Sequence, residues 1–140
     1  MIFNKKLLKT HKPSINSKEY KSTILYNGRL GLKAVNKGWL TLNQIHAIKQ
    51  FFKRFMKKRS GTVWFRIFSE RFHTKKSLGN ARMGKGKGAL DKMMFYVKSG
   101  QIIFEVQLKR NALQNEIIAI NMLKQCQYRL PILTKVFLSN

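Results

Sequence analysis

The sequence is poor in cysteine, in acidic residues and in long apolar runs, and each shortage excludes a class of structure. Cys126 is the only cysteine among 140 residues, which excludes an internal disulfide and a zinc site made of several cysteines. No apolar run approaches the roughly 20 residues that a transmembrane helix needs. Aspartate and glutamate together number 5, against 29 lysines and arginines, so the formal net charge is +24.

The few acidic and histidine side chains provide no arrangement suited to catalysis or metal binding. The acids lie apart in sequence, and no spacing implies a general acid–base pair. No two histidines share a helical spacing or lie beside a cluster of cysteines or carboxylates, as a metal site would require. We therefore predict no catalytic residue, no metal and no cofactor. The residues considered are Glu19, Glu70, Asp91, Glu105, Glu116, His11, His46 and His73.

The excess of positive charge predicts a polyanionic partner. A domain of this charge repels itself unless counter-charges neutralise it, and each lysine or arginine placed on a phosphate releases a counterion. Nucleic acid is the first candidate partner, and an anionic membrane surface is the second. Membrane-surface binding would need a large apolar helix face. The core requires that face, so we predict neither a membrane partner nor a small-molecule substrate.

The hydrophobic pattern predicts an α+β fold. Hydrophobic residues make up 44% of the chain, which is enough for the core of one domain. We expect a two-layer sandwich in which two amphipathic helices pack on a mostly antiparallel sheet. Strands are predicted at residues 21–26, 30–35, 62–68, 93–98, 101–107 and 134–138, the fourth and fifth forming a hairpin at Ser99-Gly100.

Two apolar stripes with steps of three or four residues predict the helices. The first begins at Thr41, whose side chain can form a capping box with Gln44, and ends at Ser60-Gly61. The second spans residues 110–129, and Cys126 near its end is expected to fill the core. The predicted buried residues are Leu42, Ile45, Ile48, Phe52 and Phe55, then Leu113, Ile117, Ile120 and Leu123; the basic residues of the first helix are Lys49, Lys53, Lys57, Lys58 and Arg59.

Residues 1–20 are predicted to be a basic N-terminal extension, and residues 21–140 a single RNA-binding domain. Residues 1–18 have no convincing period and are compatible with an organellar transit segment or with an RNA-binding tail. Because arginine is absent from these residues, we favour a tail that becomes ordered on its partner.

The stretch most suggestive of function is residues 82–88, Arg-Met-Gly-Lys-Gly-Lys-Gly, which we name the glycine-lysine loop. It lies within residues 69–90, where no period is visible, and Lys75 and Lys76 precede it. A long loop inside a compact domain is usually functional or disordered. Glycine lets the backbone lie directly against a phosphate or a base, and successive N–H groups can form a concave anion site. The loop is therefore suited to insertion into RNA.

A nucleotide-binding enzyme is the alternative interpretation of this stretch. Residues 79–86 nearly match a phosphate-binding P-loop, but Gly86 occupies the position of the serine or threonine that would hold magnesium. No apolar strand directly precedes the stretch and no helix-forming run directly follows it. The alternative function that remains is a nucleic-acid- or nucleotide-binding protein that uses the same loop in another context.

Several segments resemble one family in their order and approximate spacing. They are residues 30–34, 38–41 with Gln44-Ile45, 63–68, 74–76, the glycine-lysine loop and residues 130–132. On these segments the chain resembles the bacterial-type large-subunit ribosomal protein sixteen family, whose eukaryotic cytosolic relative is protein ten. The resemblance covers roughly residues 21–138 and implies an α+β fold.

The resemblance also implies a place on the large subunit between rRNA helices near the aminoacyl-tRNA site. The glycine-lysine loop and the N-terminal arm would reach toward the peptidyl transferase region. The implied partners are large-subunit rRNA, aminoacyl-site tRNA and neighbouring ribosomal proteins. The implied roles are late subunit assembly and tRNA accommodation; peptidyl transfer belongs to RNA, so the protein is not expected to be an enzyme. The expected rRNA-binding residues are Arg82, Met83, Gly84, Lys85, Gly86, Lys87, Gly88, Lys75, Lys76, Lys33 and Arg66.

Departures from the family pattern bear on the compartment. Residues 69–72 lack the prolines that the family usually places there, and the last helix is several residues longer. This divergence, with abundant lysine, asparagine, isoleucine and phenylalanine, is typical of an AT-rich organellar genome. We therefore expect a mitochondrial ribosome, with the bacterial cytoplasm or a plastid as alternatives. Arg66 is open to two interpretations, an RNA contact or a surface charge.

Overall fold

The computed structural model describes Lys9, His11 and residues 16–57, 61–68, 70–76, 84, 86–108 and 113–139. Over these residues the chain forms seven strands and two helices. In chain order they are β1 (Leu30–Ala34), β2 (Gly38–Thr41), α1 (Leu42–Met56), β3 (Gly61–Phe65), β4 (Glu70–Lys75), β5 (Ala89–Val97), β6 (Ile102–Leu108), α2 (Leu113–Gln127) and β7 (Thr134–Leu138).

The strands form two sheets, whereas we predicted one. The first has the strand order β3-β6-β1-β7 and the second β2-β5-β4, and the described strand pairs are antiparallel. The α+β class is confirmed. Helix α2 packs on the four-stranded sheet, and α1 packs against strands of both sheets. The three-stranded sheet therefore joins the rest of the fold through α1 and the core.

The predicted hairpin at Ser99-Gly100 is wrong, because β5 and β6 belong to different sheets. Gly100 has a φ of +88°, a left-handed conformation that glycine adopts at little cost. Its N–H donates to the Ala34 carbonyl at 2.8 Å, and the Gln101 N–H donates to the Lys98 carbonyl at 3.2 Å. The sequence signal located a turn correctly, but the partners of the two strands depend on contacts distant in sequence.

Four other local predictions differ from the structure. Residues 21–26 form no strand, β3 ends at Phe65 and not at residue 68, and β2 is a strand that we did not predict. Residues 69–90, predicted as one loop, contain β4 and the beginning of β5. Phe72 is the only large apolar residue of β4, so the sequence lacks the alternation of apolar and polar residues that indicates a strand. Pairing with β5 stabilises β4.

Helix α1 begins where the sequence predicted. The Gln44 N–H donates to the Thr41 hydroxyl at 3.3 Å and the Thr41 N–H donates to the Gln44 side chain at 2.8 Å, which confirms the capping box. Ile45, Ile48 and Phe52 are buried. The Phe52 ring meets that of Phe104 edge-on with centroids 5.5 Å apart, which ties the helix to the four-stranded sheet. The helix ends at Met56, before the predicted stop, and Gly61 begins β3.

The buried stripe predicted for α2 is correct only in part. Leu123 is buried and Ile120 packs against the core, whereas Ile117 is 58% exposed. The side chain of Leu113 lies outside the described residues. Apolar residues occupy all four positions from Ile117 to Ile120, so more than one side of the helix is apolar there, and packing against β1, β6 and β7 decides which side faces inward. The residues buried along α2 are Ala119, Met122, Leu123 and Cys126.

One acidic residue, Glu105, is fully buried and organises the segment before β1. Its side chain forms an ion pair with Arg66, whose own side chain is 15% exposed. The same carboxylate accepts hydrogen bonds from the N–H groups of Asn27 at 2.8 Å and Gly28 at 3.2 Å, and of Tyr26 at 3.3 Å. Because a carboxylate accepts from these donors, the three N–H groups take part in no strand ladder, and residues 26–28 belong to no strand.

The charge of Glu105 is stabilised by its partners. Burial by itself would raise the pKa of the carboxyl, but the Asn27 N–H, the Arg66 guanidinium and the Gly28 N–H together hold that pKa below its ordinary value of 4.5. The Arg66 guanidinium also donates to the Ile24 carbonyl. The pair therefore fixes the chain between residues 24 and 28 against β6 and β3.

Burial should make Cys126 unreactive in the folded protein. Burial raises the pKa of its thiol to about 12, against an opposing effect of Arg129, and the thiolate is the reactive form. Ellman's reagent at mildly alkaline pH should leave the native protein unmodified and titrate one thiol after addition of guanidinium. Rapid reaction of the native protein would contradict the buried position.

Glu105→Gln should lower the free energy of unfolding by about 3–5 kcal/mol, because it leaves Arg66 buried without its counter-charge. Urea denaturation followed by circular dichroism at neutral pH measures the change. Glu116→Gln is the matched control, since it removes an exposed ion pair with Arg29 at 3.4 Å and should cost at most about 1 kcal/mol.

Lowering the pH should reduce the stability that the Glu105 carboxylate provides. The depressed pKa means that the Glu105 carboxylate contributes its stability above the ordinary value of 4.5, and that this contribution disappears as the pH falls through the lower pKa of the folded state. The difference between the wild type and Glu105→Gln should therefore shrink in acid. A difference that stays constant with pH would show that the carboxylate charge is not its source.

Candidate nucleic-acid interface

The glycine-lysine loop lies at the end of a hairpin formed by β4 and β5. Lys75 pairs with Ala89 at the end of the ladder, and Glu70 pairs with Phe95 at its base. Burial along β5 changes in the same direction: Phe95, Tyr96 and Val97 are buried, whereas residues 89, 91 and 92 are exposed. The hairpin therefore runs from the core to the surface and carries the loop at its exposed end.

The glycines of the loop have two different physical roles. Gly84 and Gly86 have φ values of +85° and +79°, and a Cβ on either would meet no atom within 4 Å. Their backbone conformation is the one that disfavours a side chain. A Cβ on Gly88 would instead lie 2.5 Å from the Lys75 carbonyl oxygen and 2.8 Å from the Lys76 nitrogen. The close packing of the hairpin itself therefore requires glycine at position 88.

Six of the predicted site residues lie at the exposed end of the hairpin in the described structure. Lys75 and Lys76 are exposed at the end of β4, and Gly84, Gly86 and Lys87 are exposed beyond it. The Lys9 ammonium donates to the Lys87 carbonyl at 3.3 Å, which brings a residue of the predicted extension to the loop. Gly88 joins this group through its contact with Lys75. The predicted contacts Arg82, Met83 and Lys85 lie outside the described residues.

Two predicted site residues lie elsewhere. Lys33 is on β1, in the four-stranded sheet, and its ammonium lies 4.9 Å from the centroid of the Phe137 ring. Arg66 is held by Glu105 and stacks on Tyr26 at 4.7 Å. Internal partners therefore account for the Arg66 guanidinium, and we do not include it in the candidate interface.

The structure adds three residues that sequence reasoning missed. His73 pairs with Lys92, and Arg71 pairs with Met94, so Arg71, His73 and Lys92 lie on one face of the hairpin. All three are exposed. The alternation of Arg71, His73 and Lys75 is a strand pattern with nitrogen-bearing side chains on one side, but the prediction of a loop for residues 69–90 concealed it.

The outer side of α1 forms a second basic surface. Lys49, Lys53, Arg54 and Lys57 are exposed, opposite the buried side of the helix. Lys49 also lies over the Phe65 ring, 5.1 Å from its centroid. The helix can therefore contact phosphates while its apolar residues remain in the core.

The structural context differs from that of a nucleotide-binding P-loop. A P-loop connects a strand to a helix whose N-terminus receives the phosphates, whereas here β4 precedes and β5 follows the loop. Within the described part of the chain, no three His, Cys, Asp or Glu side chains are close enough to hold a metal ion. No described helix has the length and apolarity needed to cross a bilayer.

Comparison with known proteins agrees with this arrangement. The family model described as Ribosomal protein L16p/L10e matches residues 2–137. The chain is 36% identical over 131 residues to "Large ribosomal subunit protein uL16" of Phytoplasma mali, covering 94% of this chain and 90% of that protein. It is 33% identical over 131 residues to "Large ribosomal subunit protein uL16c" of Emiliania huxleyi, again covering 94% and 90%. Identity to the uL16c protein of Cyanidium caldarium is 36% over 135 residues, covering 96% and 91%.

Nearly the whole chain and nearly the whole length of these relatives are thus aligned. The predicted resemblance is confirmed, and the chain belongs to the ribosomal protein L16p/L10e family.

Proposed function

We propose that this protein is a structural constituent of the large ribosomal subunit that binds rRNA near the aminoacyl-tRNA site and the peptidyl transferase region. The observation that carries the proposal is the position of the glycine-lysine loop at the exposed end of a hairpin. The names of the relatives, which are large-subunit ribosomal proteins, and the net charge of +24 support it. Membership of a ribosomal protein family agrees with the prediction that the chain is not an enzyme.

The chemistry of the proposed contact is phosphate neutralisation at close range. Lys75, Lys76 and Lys87 provide charges that release counterions from RNA. Gly84 and Gly86 add no side-chain bulk, so their backbone can approach a base or a phosphate more closely than other residues could. Arg82 and Lys85 are proposed to extend the same contact, and Met83 to lie within it. The stem of paired strands limits the loss of conformational freedom when the loop binds.

The proposed roles are to order rRNA late in assembly and to support accommodation of tRNA, while RNA carries out peptidyl transfer. Proposed partners are large-subunit rRNA, aminoacyl-site tRNA and neighbouring ribosomal proteins. Residues 1–20 act as a basic extension and residues 21–140 as the rRNA-binding domain. Glu19, at the end of the extension, is attached to the domain through its N–H, which donates to the Ser99 carbonyl at 2.9 Å. Lys33 is proposed as a separate rRNA contact.

Composition supports an organellar ribosome, and our proposal for the compartment is a mitochondrion. The relatives are bacterial and plastid proteins, so they do not support that location and agree with the alternatives of a plastid or the bacterial cytoplasm. Fractionation of the source cells, with an antibody against this chain, separates the three compartments.

Charge reversal in the loop should interrupt assembly. Lys85→Glu together with Lys87→Glu should cause immature large subunits to accumulate in sucrose gradients, because two phosphate contacts become repulsive. Lys124→Glu, an exposed position on α2, should leave the profile normal. A normal profile for the loop variant would contradict the role proposed for the loop.

Binding to an rRNA fragment should show the same contact in isolation. Lys87→Ala should weaken binding and reduce the slope of log affinity against log salt concentration by about 1. Lys124→Ala should leave that slope unchanged. Equal slopes for the wild type and Lys87→Ala would exclude a phosphate contact at this lysine.

The glycine substitutions should separate folding from RNA binding. Gly88→Ala should lower the melting temperature, because its Cβ would clash with the Lys75 backbone at 2.5 Å. Gly84→Ala should cost only about 1–2 kcal/mol of backbone strain but should weaken rRNA binding, because its Cβ enters the space proposed for RNA. Thermal melting and filter binding measure the two effects. If Gly84→Ala bound RNA like the wild type, close backbone approach at this position would be excluded.

A further inference from the structure

The outer face of the three-stranded sheet carries a cluster of aromatic rings. Trp39 on β2 pairs with Tyr96 on β5, and their ring centroids are 3.8 Å apart with planes tilted by 56°. His73 on β4 meets the Trp39 ring edge-on, with centroids 6.2 Å apart. Leu40 and Phe95, the neighbours of Trp39 and Tyr96, are buried in the core. The aromatic cluster therefore lies on the side of the sheet that faces away from the core.

Within this cluster, Trp39 and Tyr96 differ in exposure. Tyr96 is only 8% exposed, whereas Trp39 is partly exposed. Trp39 is thus the more accessible of the two rings, and its contact with Tyr96 holds it in place. An indole fixed in this way is a rigid stacking surface, so a planar ligand can bind without first ordering the side chain.

Positive charges lie beside this aromatic cluster. The strand register places Arg71 and Lys92 on the same face as Tyr96 and His73, and both are exposed. Among the described residues, the ion pairs involve other cations than these two. The face therefore combines aromatic rings with cations, which is the composition of surfaces that bind single-stranded nucleic acid through bases and phosphates.

We propose that this face binds an unpaired nucleotide of RNA, whose base stacks on Trp39 while Arg71 and Lys92 contact the adjacent phosphates. The inference rests on the proposed rRNA-binding function and adds a second, base-directed contact to it. Strands β4 and β5 lead from this face to the glycine-lysine loop. One RNA strand can therefore pass along the hairpin from Trp39 to Lys75 and Lys87.

The contacts favour RNA over a protein as the occupant. A protein partner would have to supply carboxylates for Arg71 and Lys92 at the same spacing as an apolar group for Trp39. RNA supplies phosphates on both sides of every base, and every base has a face that can stack. Paired bases are already stacked within a duplex, so the proposed ligand is an unpaired nucleotide.

Tryptophan fluorescence provides a direct test, because Trp39 and Trp64 are the only two tryptophans of the chain. The full chain carrying Trp64→Phe reports on Trp39 alone. Single-stranded oligoadenylate of about 12 nucleotides should quench this emission as it binds, and a duplex of the same length should quench it much less. The chain carrying Trp39→Phe, which reports on Trp64, is the control and should show little quenching.

Substitution of Trp39 should weaken RNA binding when the new side chain is not aromatic. Anisotropy of labelled oligoadenylate should show about tenfold weaker binding by Trp39→Leu and near-normal binding by Trp39→Phe. Thermal melting tests whether each variant is folded. Should Trp39→Leu fail to fold, Arg71→Ala with Lys92→Ala changes only exposed side chains, and it should weaken binding to single strands.

The outcomes distinguish this inference from the function on which it rests. Binding of RNA without quenching of Trp39, together with equal affinity of Trp39→Leu, would overturn the stacking site and leave the rRNA-binding function intact. Failure of the wild type to bind any RNA would contradict the function itself. Loss of subunit incorporation by Trp39→Leu, with no effect of RNA on Trp39, would assign the face to a protein partner and overturn the inference.

Discussion

Repulsion among positive charges is the constraint on which this structure depends. With a net charge of +24, the cations must be spread over the surface, and the interior can hold a cation only where a carboxylate neutralises it. Glu105 provides that carboxylate for Arg66 and also binds backbone N–H groups of residues 26–28. The remaining cations include those of the hairpin and of α1, where they face outward and where a polyanion can neutralise them.

The two sheets and their helices determine where the proposed contacts lie. The four-stranded sheet, α1 and α2 enclose the core, and the three-stranded sheet extends β4 and β5 away from it. One face of the three-stranded sheet presents Trp39, His73, Arg71 and Lys92, and the exposed end of the hairpin presents the glycine-lysine loop. Paired strands therefore support a segment in which glycines without side chains alternate with lysines. This combination fits a protein that must introduce charge into folded RNA.

The sequence predicted features that local chemistry determines. The capping box at Thr41, the strand at residues 134–138 and the core position of Cys126 each follow from neighbouring residues, and each is confirmed. Contacts between distant segments determine the rest. They place β5 and β6 in different sheets, leave Ile117 of α2 exposed and give Glu105 its structural role. For the site, the alternation of glycine and lysine identified the loop. The separate requirement for Gly88 depends on the pairing of β5 with β4, and the aromatic face depends on the pairing of β5 with both β4 and β2.

The most direct test of the central claim is directed hydroxyl-radical cleavage of rRNA in assembled large subunits. Cys126 is buried, so an iron chelate attached to Lys87→Cys reports on the loop alone. We predict cleavage confined to rRNA of the peptidyl transferase region and the aminoacyl-tRNA site, at positions different from those cleaved from Lys124→Cys. Absence of rRNA cleavage from position 87, with cleavage from position 124 preserved, would contradict the insertion of the loop into RNA.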